Sequence, residues 1–209
     1  MKGKTIFSFS KKRKAQNLLK SLNKKMRKVL KEQRYIHSVG VSYTAAALAM
    51  RYGADIYDSM IAGILHDCAK QYDGMQLLNL CDKYGVLPTE AERIMPELLH
   101  AKIGSAIARK KYGIKDENIL NAIASHTTGH ADMTLLEQII FMADYIEPSR
   151  DESPNLEEVR RMAFTDLNKA TIMACESTID YVNGRGASID PTTEETLNYY
   201  RNIDKTAAE

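Results

Sequence analysis

Apolar residues recur every three or four positions along most of the chain, and no segment shows the convincing apolar–polar alternation typical of a β-strand. Leu18, Leu22, Met26 and Leu30, for example, form one apolar stripe on a very basic helix predicted over residues 15–33. The same spacing predicts helices over residues 35–53, 56–70, 72–86, 87–113 (divided at Pro96), 116–126, 132–148, 156–184 and 192–203. We therefore predict an all-α fold.

Residues with known preferences for helix ends support these boundaries. Gly53 and Gly85 are expected to end helices in the left-handed conformation, and Asp55 is expected to cap the helix that follows it. Two Thr-x-x-Glu sequences, Thr89–Glu92 and Thr192–Glu195, have the spacing of a capping box at a helix start. Between helices, residues 149–155 are predicted to form a polar loop.

The formal net charge of +2 hides an uneven distribution along the chain. Residues 1–34 hold 13 Lys or Arg and one acidic residue, a formal charge of +12, while the rest of the chain holds 16 basic and 26 acidic residues, a charge of −10. Such a basic arm suits contact with nucleic acid, an anionic membrane or a polyphosphate. The simpler interpretation is a solvated leader. We assign residues 1–33 to a basic N-terminal leader and helix.

The three cysteines, Cys68, Cys81 and Cys175, are scattered and form no CxxC pair, so neither a thiolate metal site nor a disulfide framework is indicated. Free thiols suit the reducing cytosol. The first residues carry positive charges without the apolar core of a signal peptide, and no stretch resembles a membrane span. We expect a cytoplasmic protein.

An adjacent histidine and aspartate, His66 and Asp67, end the apolar run of the stretch GILHDCAK at residues 63–70. Other histidines and a second aspartate also lie on apolar helical faces or at helix ends: His37, His100, His126 and Asp144. A single inward histidine is more often a core residue than a metal ligand. Two unpaired carboxylates in one small core are costly, however, and few lysines or arginines are placed to enter it. A metal centre would neutralise the negative charge of the two carboxylates.

The adjacent pair suits a site with two metals. Neighbouring helical side chains diverge by about 100°, so His66 and Asp67 can approach one site from different directions. The two oxygens of Asp67 can bridge two cations, which would hold a hydroxide between them and clamp a phosphoryl oxygen. Histidine and carboxylate ligands without thiolate favour iron or manganese and do not exclude zinc.

Three further polar residues differ in how well they suit a place near this site. Lys70 lies one turn beyond the pair and is a candidate contact for an anionic oxygen, although an ordinary lysine near a helix C-terminus explains it equally well. Arg150, just after the stretch IEPS, is a similar candidate. His130 lies in the polar turn TTGHAD with no apolar stripe behind it, and we expect it at the surface.

With these residues established, the chain resembles the HD superfamily of metal-dependent phosphohydrolases, and more narrowly the bacterial YqeK family of symmetrical bis(5'-nucleosyl)-tetraphosphatases. A lone His-Asp dipeptide would be a weak signal, whereas five blocks in the family's order are specific. These blocks are RYIHSVGV (34–41), AGILHDCAK (62–70), LLHAKIGSAIARKKYGI (98–114), NAIASHTTG (121–129) and FMADYIEPSR (141–150). The longer basic leader departs from the family's pattern.

The resemblance implies an HD-domain helical bundle with a di-metal centre in the helix core, so residues 34–209 would form an HD-domain hydrolase. The implied metals are two irons, with manganese as the alternative. Carried over by position, one metal would be held by His37, His66, Asp67 and Asp144, and the other by His100, His126 and the bridging Asp67.

The resemblance also implies an activity. A hydroxide bridging the metals would cleave diadenosine tetraphosphate in the middle, releasing two ADP. Asp67 and Lys70 are the implied catalytic residues, and Lys70, Thr127 and Arg150 would contact the substrate phosphates. The implied partners are therefore a dinucleoside polyphosphate substrate and an ADP product.

Other functions stay open on the sequence alone. Another HD chemistry, such as a mononucleotide phosphatase or a cyclic-nucleotide phosphodiesterase, would use the same ligands, and a di-iron HD oxygenase would consume oxygen. A nucleic-acid-binding protein would instead use the basic arm, with salt-sensitive binding that is lost without residues 1–33. A purely structural helical protein would tolerate changes to the ligands. The amphipathic last helices offer a homodimer face.

Overall fold

The computed structural model describes residues 2–150, 155–186 and 188–208. Within these ranges the chain forms eleven α-helices and one short 3-10 helix at Pro96–Leu99, with no β-strand. The helices are α1 Lys2–Val29, α2 Glu32–Tyr52, α3 Ile56–Leu65, α4 Gly74–Tyr84, α5 Glu90–Ile94, α6 His100–Tyr112, α7 Glu117–Ser125, α8 Leu135–Ile146, α9 Leu156–Ala163, α10 Leu167–Gly184 and α11 Pro191–Ala208. The predicted all-α fold is confirmed. Across the same ranges, no helix combines the length and apolarity needed to traverse a bilayer.

Several of the predicted helix ends are confirmed. Gly53 and Gly85 follow α2 and α4 in the left-handed conformation, with φ of 81° and 69°, which glycine adopts without a steric cost. The Asp55 side chain accepts two backbone N–H groups at the start of α3. Thr89 and Glu92 form the reciprocal hydrogen bonds of a capping box at the start of α5.

The helix predicted over residues 15–33 was wrong at both ends. In the structure α1 begins at Lys2 and ends at Val29, and the chain turns through an extended Lys31 before α2 begins at Glu32. Leu22 and Met26 are fully buried, whereas Leu18 is 36% exposed. Only the C-terminal part of the predicted stripe therefore enters the core. The turn at Lys31 lets both α1 and α2 pack against the core.

The single helix predicted over residues 156–184 was also wrong, because α9 and α10 are separated by a short turn. The side chain of Asp166 caps α10 by accepting from the Lys169 amide. Two side chains of α2 bind the carbonyl oxygens at the end of α9: Tyr52 Oη donates to Ala163 and Arg51 Nε to Phe164, at 2.8 and 2.7 Å. Tertiary contacts thus satisfy the backbone groups that a continuous helix would have paired.

Two other predictions concern the C-terminal half of the chain. The Thr192–Glu195 capping box was wrong, because α11 begins at Pro191 and the Asp190 carboxylate accepts from the Thr192 amide at 2.8 Å. The loop predicted over residues 149–155 lies partly outside the described residues, at positions 151–154.

The end of α3 matters most for function. We predicted that this helix continues to Lys70, but it ends at Leu65. The following backbone amides of Cys68, Lys70 and Tyr72 each bond to the carbonyl oxygen three residues earlier, at 2.9, 2.9 and 3.1 Å. The His-Asp pair therefore lies in tight turns, where the chain changes direction inside the core.

The packing of five helices creates the space into which this turn projects. Helix α2 packs along α3 and α8, while α7 packs against α3, α6 and α8. The approach of α2 to α3 is close at Gly63, where a Cβ atom would lie 2.8 Å from Ser42 Cα. Helices α10 and α11 pack together, with α10 also against α8 and α9.

The division of the chain at residue 33, between a leader and an HD-domain hydrolase, stays a prediction.

Candidate metal centre

Six polar side chains from five helices meet inside the bundle. They are His37 on α2, His66 and Asp67 directly after α3, His100 at the start of α6, His126 directly after α7, and Asp144 on α8. All are buried except Asp144, whose side chain is 17% exposed. The six are the residues expected to bind metal from the sequence, so the structure brings that whole set together.

The distances divide these side chains into two groups that share one carboxylate. In the first group, His37 Nε2 lies 3.0 Å from Asp144 Oδ1 and 3.2 Å from His66 Nε2. The Oδ2 atom of Asp67 lies 3.4 Å from His66 Nε2 and 3.7 Å from His37 Nε2.

The other oxygen of Asp67 faces the second group. Its Oδ1 atom lies 3.3 Å from His100 Nε2 and 3.7 Å from His126 Nε2, and these two nitrogens are 3.1 Å apart. Each carboxylate oxygen of Asp67 therefore faces a different pair of histidines. This is the arrangement that a bridging ligand between two cations requires.

All four histidines direct Nε2 towards the centre and keep Nδ1 hydrogen-bonded. In His66, His100 and His126, Nδ1 lies 2.5–2.7 Å from the carbonyl oxygen three residues earlier in the chain. Because a carbonyl only accepts, Nδ1 carries a proton in these rings, and Nε2 is the nitrogen directed to a metal. Hydrogen bonds of this kind fix the ring orientation of metal-binding histidines.

His37 differs because its Nδ1 atom donates to a side chain. Its partner is Oε1 of Glu147, at 3.0 Å, in the turn after α8. Glu147 is buried and also accepts from the amide and the hydroxyl of Ser149. A Cβ atom at Gly40 would overlap Oε2 of Glu147, so the glycine leaves room for this carboxylate beside α2. Burial alone would raise the pKa of Glu147, but the bonds from Ser149 and His37 lower it.

The electrostatics of the centre favour ionised carboxylates and a neutral second-group histidine. Burial alone would raise the pKa of Asp67 and Asp144, yet the surrounding histidines, together with Arg150 beside Asp144, hold both well below the ordinary value. Burial, followed by the charge of Lys70, lowers the pKa of His100 to about 3. The two aspartates and His100 are therefore in the form that binds metal at neutral pH. His37 differs, because burial is outweighed by Asp144, Glu147 and Asp67, which raise its pKa.

Two arginines enter this region, against the expectation that few cations would do so. Arg34 Nη1 donates to Asp67 Oδ2 and Arg150 Nη2 to Asp144 Oδ1, each at 2.8 Å. The Arg34 side chain is 38% exposed, so it can leave the carboxylate for solvent or another anion without a large desolvation cost.

The donor set fits transition-metal cations. It consists of imidazole nitrogens and carboxylate oxygens, a combination that suits iron, manganese or zinc. Among the described residues, no cysteine joins the clusters able to hold a metal. Cys68 lies next to Asp67, but its Sγ contacts the Gly104 carbonyl oxygen at 3.4 Å, and burial raises the pKa of its thiol to about 12.

The centre opens into a cavity of about 300 Å³. The three residues predicted to contact phosphate all line it: Lys70, Thr127 and Arg150. Lys70 Nζ lies 3.3 Å from His100 Nε2, and Thr127 Oγ1 lies 3.3 Å from both second-group Nε2 atoms. Although much of Lys70 is exposed, its ammonium group lies among protein atoms, and this burial lowers its pKa. The fifth histidine, His130, lies outside the cavity lining and pairs with Glu137 at 3.1 Å.

Sequence reasoning missed four residues of this region. Arg34 lies one turn before His37, and Glu147 lies one turn after Asp144, so helical spacing from a ligand is a signal that could have found both. Tyr145 and Tyr181 also line the cavity. Tyr181 comes from α10, more than thirty residues after Asp144 in the chain, and no local pattern indicated that it faces this cavity.

Comparison with known proteins places this centre in a family. The model of the HD domain matches residues 34–149, which include all six residues. The symmetrical bis(5'-nucleosyl)-tetraphosphatase of Bacillus subtilis is 41% identical over 170 residues, covering 81% of this chain and 90% of that protein. The protein of the same name from Halalkalibacterium halodurans is 43% identical over 81% of this chain and 89% of that protein. The chain belongs to the YqeK family of HD-domain proteins.

A solved structure supports the HD fold. The crystal structure of a predicted HD superfamily hydrolase involved in NAD metabolism, from Clostridium acetobutylicum, superposes on this YqeK-family chain with a TM-score of 0.85. The two chains are 40% identical, and the match covers 88% of this chain and 97% of the other. The resemblance stated from the five sequence blocks is confirmed.

Proposed function

We propose that this protein hydrolyses dinucleoside tetraphosphates symmetrically, converting diadenosine tetraphosphate to two ADP. The observation that carries the proposal is the arrangement around Asp67, whose two oxygens face separate groups of ligands beside a cavity lined by cationic side chains. The names of the two bacterial relatives support the same substrate and cleavage position. They favour hydrolysis over the oxygenase, nucleic-acid-binding and purely structural alternatives.

The residues of the centre would hold two cations, which we propose to be iron, with manganese as the alternative. The set for one cation is His37, His66, Asp67 and Asp144; the set for the other is His100, His126 and Asp67. When bound, such cations supply Lewis-acid activation of water and neutralise charge on phosphoryl oxygens. The buried histidines provide nitrogen ligands, and Asp67 and Asp144 provide negative charge.

The cavity residues would bind and orient the polyphosphate. Arg150 and Lys70 suit phosphate oxygens because charge-assisted hydrogen bonds are strong. The guanidinium of Arg150 stays charged, since the neighbouring Asp144 outweighs burial and raises its pKa. The hydroxyl of Thr127 can donate to an oxygen between them. Arg34 lines the same cavity and adds a third cationic side chain. Together they would place a phosphoanhydride bond beside Asp67.

The hypotheses about other partners and about location are supported by fewer observations. Nucleic-acid contact by the leader rests on the charge of residues 1–34 alone, and a homodimer rests on the amphipathic last helices; both stay predictions. A cytoplasmic location is supported by the three cysteines, which are free and buried and suit a reducing compartment.

Product analysis tests the proposed activity. Protein purified without chelators and incubated with diadenosine tetraphosphate is expected to release two ADP per substrate molecule, resolved by nucleotide chromatography. Reaction in ¹⁸O-labelled water should place label in one of each pair of ADP molecules, because one phosphorus receives the water oxygen. Release of ATP and AMP would contradict symmetrical cleavage. Release of inorganic phosphate from mononucleotides, with the dinucleotide left intact, would favour the HD phosphatase alternative.

A further inference from the structure

The cavity beside the centre has two chemically different walls. One carries the metal-binding side chains and the cationic residues already described. The other is formed by α8 and α10 and carries aromatic rings and hydroxyl groups, from Phe141, Tyr145, Ser177, Thr178 and Tyr181. A polyphosphate chain uses only the first wall, so the proposed phosphate contacts leave the second wall without a role.

Two tyrosines of this second wall have unusual surroundings. Tyr181 is 43% exposed although it is a large aromatic residue. The Arg185 guanidinium lies 4.2 Å from the centre of its ring, a cation–π contact that holds the ring in place. The hydroxyl of Tyr145 is buried and has no hydrogen-bond partner among the described residues. Because this hydroxyl is shielded from solvent, Tyr145 can meet a ligand in the cavity only through its ring.

The position of α10 in the chain adds a second argument. The HD family model ends at residue 149 and contains every residue expected to bind metal. Helix α10, at Leu167–Gly184, lies beyond that model yet contributes Ser177, Thr178 and Tyr181 to the cavity. A segment added to the common HD core thus contributes part of the cavity lining that holds no metal-binding side chain. Such a wall is suited to select a substrate rather than to perform the hydrolysis.

We propose that this wall is a nucleoside subsite, in which the nucleobase of one half of the substrate stacks on Tyr181. The ring of Tyr145 would contact the same nucleoside. The ligand class is a nucleoside diphosphate: its phosphates meet the cationic residues, and its base meets the aromatic wall. The inference takes its substrate from the proposed function. Its separate claim is that stacking of the base on Tyr181 contributes to the affinity for the nucleotide. Stacking of a base on an aromatic ring is tolerant of base identity.

Binding of two simple ligands tests the subsite without any hydrolysis. ADP and inorganic pyrophosphate share the diphosphate, and only ADP has a nucleoside. Titration calorimetry with the metal-loaded protein should show that Tyr181→Ala weakens ADP binding about tenfold, the effect typical of losing one base–aromatic stack. Tyr181→Phe keeps the ring and should bind ADP much more tightly than Tyr181→Ala. Pyrophosphate should bind equally to all three proteins.

Tyr145→Phe is a control that keeps the ring, because it removes only a hydroxyl that is shielded from solvent. ADP and pyrophosphate should both bind to this variant as they do to the wild type. Tyr43→Ala is the matched control, since Tyr43 is 65% exposed on α2 and does not line this cavity.

Equal ADP binding by the wild type and both alanine variants, at Tyr181 and Tyr43, would overturn the subsite. So would a parallel loss of ADP and pyrophosphate binding in Tyr181→Ala, which would indicate a general structural effect. The proposed function fails by a different result: a wild-type protein that binds ADP through Tyr181 but does not cleave diadenosine tetraphosphate. The two failures are therefore distinguishable.

Discussion

Asp67→Asn is expected to lower hydrolysis of diadenosine tetraphosphate by more than about a hundredfold, beyond the loss typical of removing a residue that only supports a ligand. The reason is that, among the described residues, only Asp67 has two oxygens that face both groups of histidines, at 3.4 and 3.3 Å. Asparagine retains one oxygen and no charge, so both cations should bind more weakly. Initial rates by nucleotide chromatography and metal content by mass spectrometry measure the two effects.

The Asp67→Asn protein is expected to fold, which makes the result interpretable. Arg34, which pairs with Asp67, is partly exposed and can turn its guanidinium to solvent. Asp82→Asn is the matched control, because Asp82 is exposed on α4 and lies outside the cavity lining; it should keep its metal and its activity. Full metal content and near wild-type rates in Asp67→Asn would show that the carboxylate does not bridge.

Glu147→Ala is expected to weaken metal binding by about 10–100-fold, the range found when the partner of a metal-binding histidine is removed. Its carboxylate accepts the Nδ1 proton of His37, the one histidine of the four that is not oriented by a backbone carbonyl. Without Glu147, His37 keeps a buried donor with no acceptor, which should also lower the free energy of unfolding by about 1–3 kcal/mol. Chelator competition and urea denaturation of metal-free protein measure these separately.

Two further variants distinguish orientation of His37 from a general effect on stability. Glu147→Gln can still accept from His37, but its amide places a donor near the Ser149 amide; it should lose stability while keeping more metal affinity than Glu147→Ala. Gly40→Ala would push the carboxylate away from α2, because the new Cβ overlaps Oε2 of Glu147, and it should weaken metal binding. Glu158→Ala, at an exposed glutamate of α9, is the control. If Glu147→Ala and Glu147→Gln had equal metal affinity and lost equal stability, Glu147 would be structural only.

The fold was predictable where the signal was local. The caps at Asp55 and Thr89 and the glycine ends at Gly53 and Gly85 depend on a few neighbouring residues, and each is confirmed. The break between α9 and α10 was not predictable in the same way, because side chains of α2, more than a hundred residues earlier, bind the carbonyl oxygens there. Apolar periodicity continues through that break and therefore predicted one helix.

The same limit applies to the centre. Histidines and aspartates on apolar faces indicated the six residues, because burying such groups is costly unless they are paired or bind a metal. Which oxygen of Asp67 faces which histidines depends on the turn after Leu65, where the observed helix ends although it was predicted to continue to Lys70. The wall on α10 could not be predicted, because a tyrosine on a partly exposed helix is ordinary until the structure places it in the same cavity as the metal-binding cluster.

Metal titration of one preparation tests the central claim most directly. Protein stripped of metal with a chelator is loaded stepwise with ferrous or manganous ions, and bound metal and ADP formation are measured on the same samples. The convergence of six side chains on Asp67 predicts no hydrolysis without metal and a maximum at about two ions per chain. Full release of ADP from diadenosine tetraphosphate by protein that contains no transition metal would contradict it.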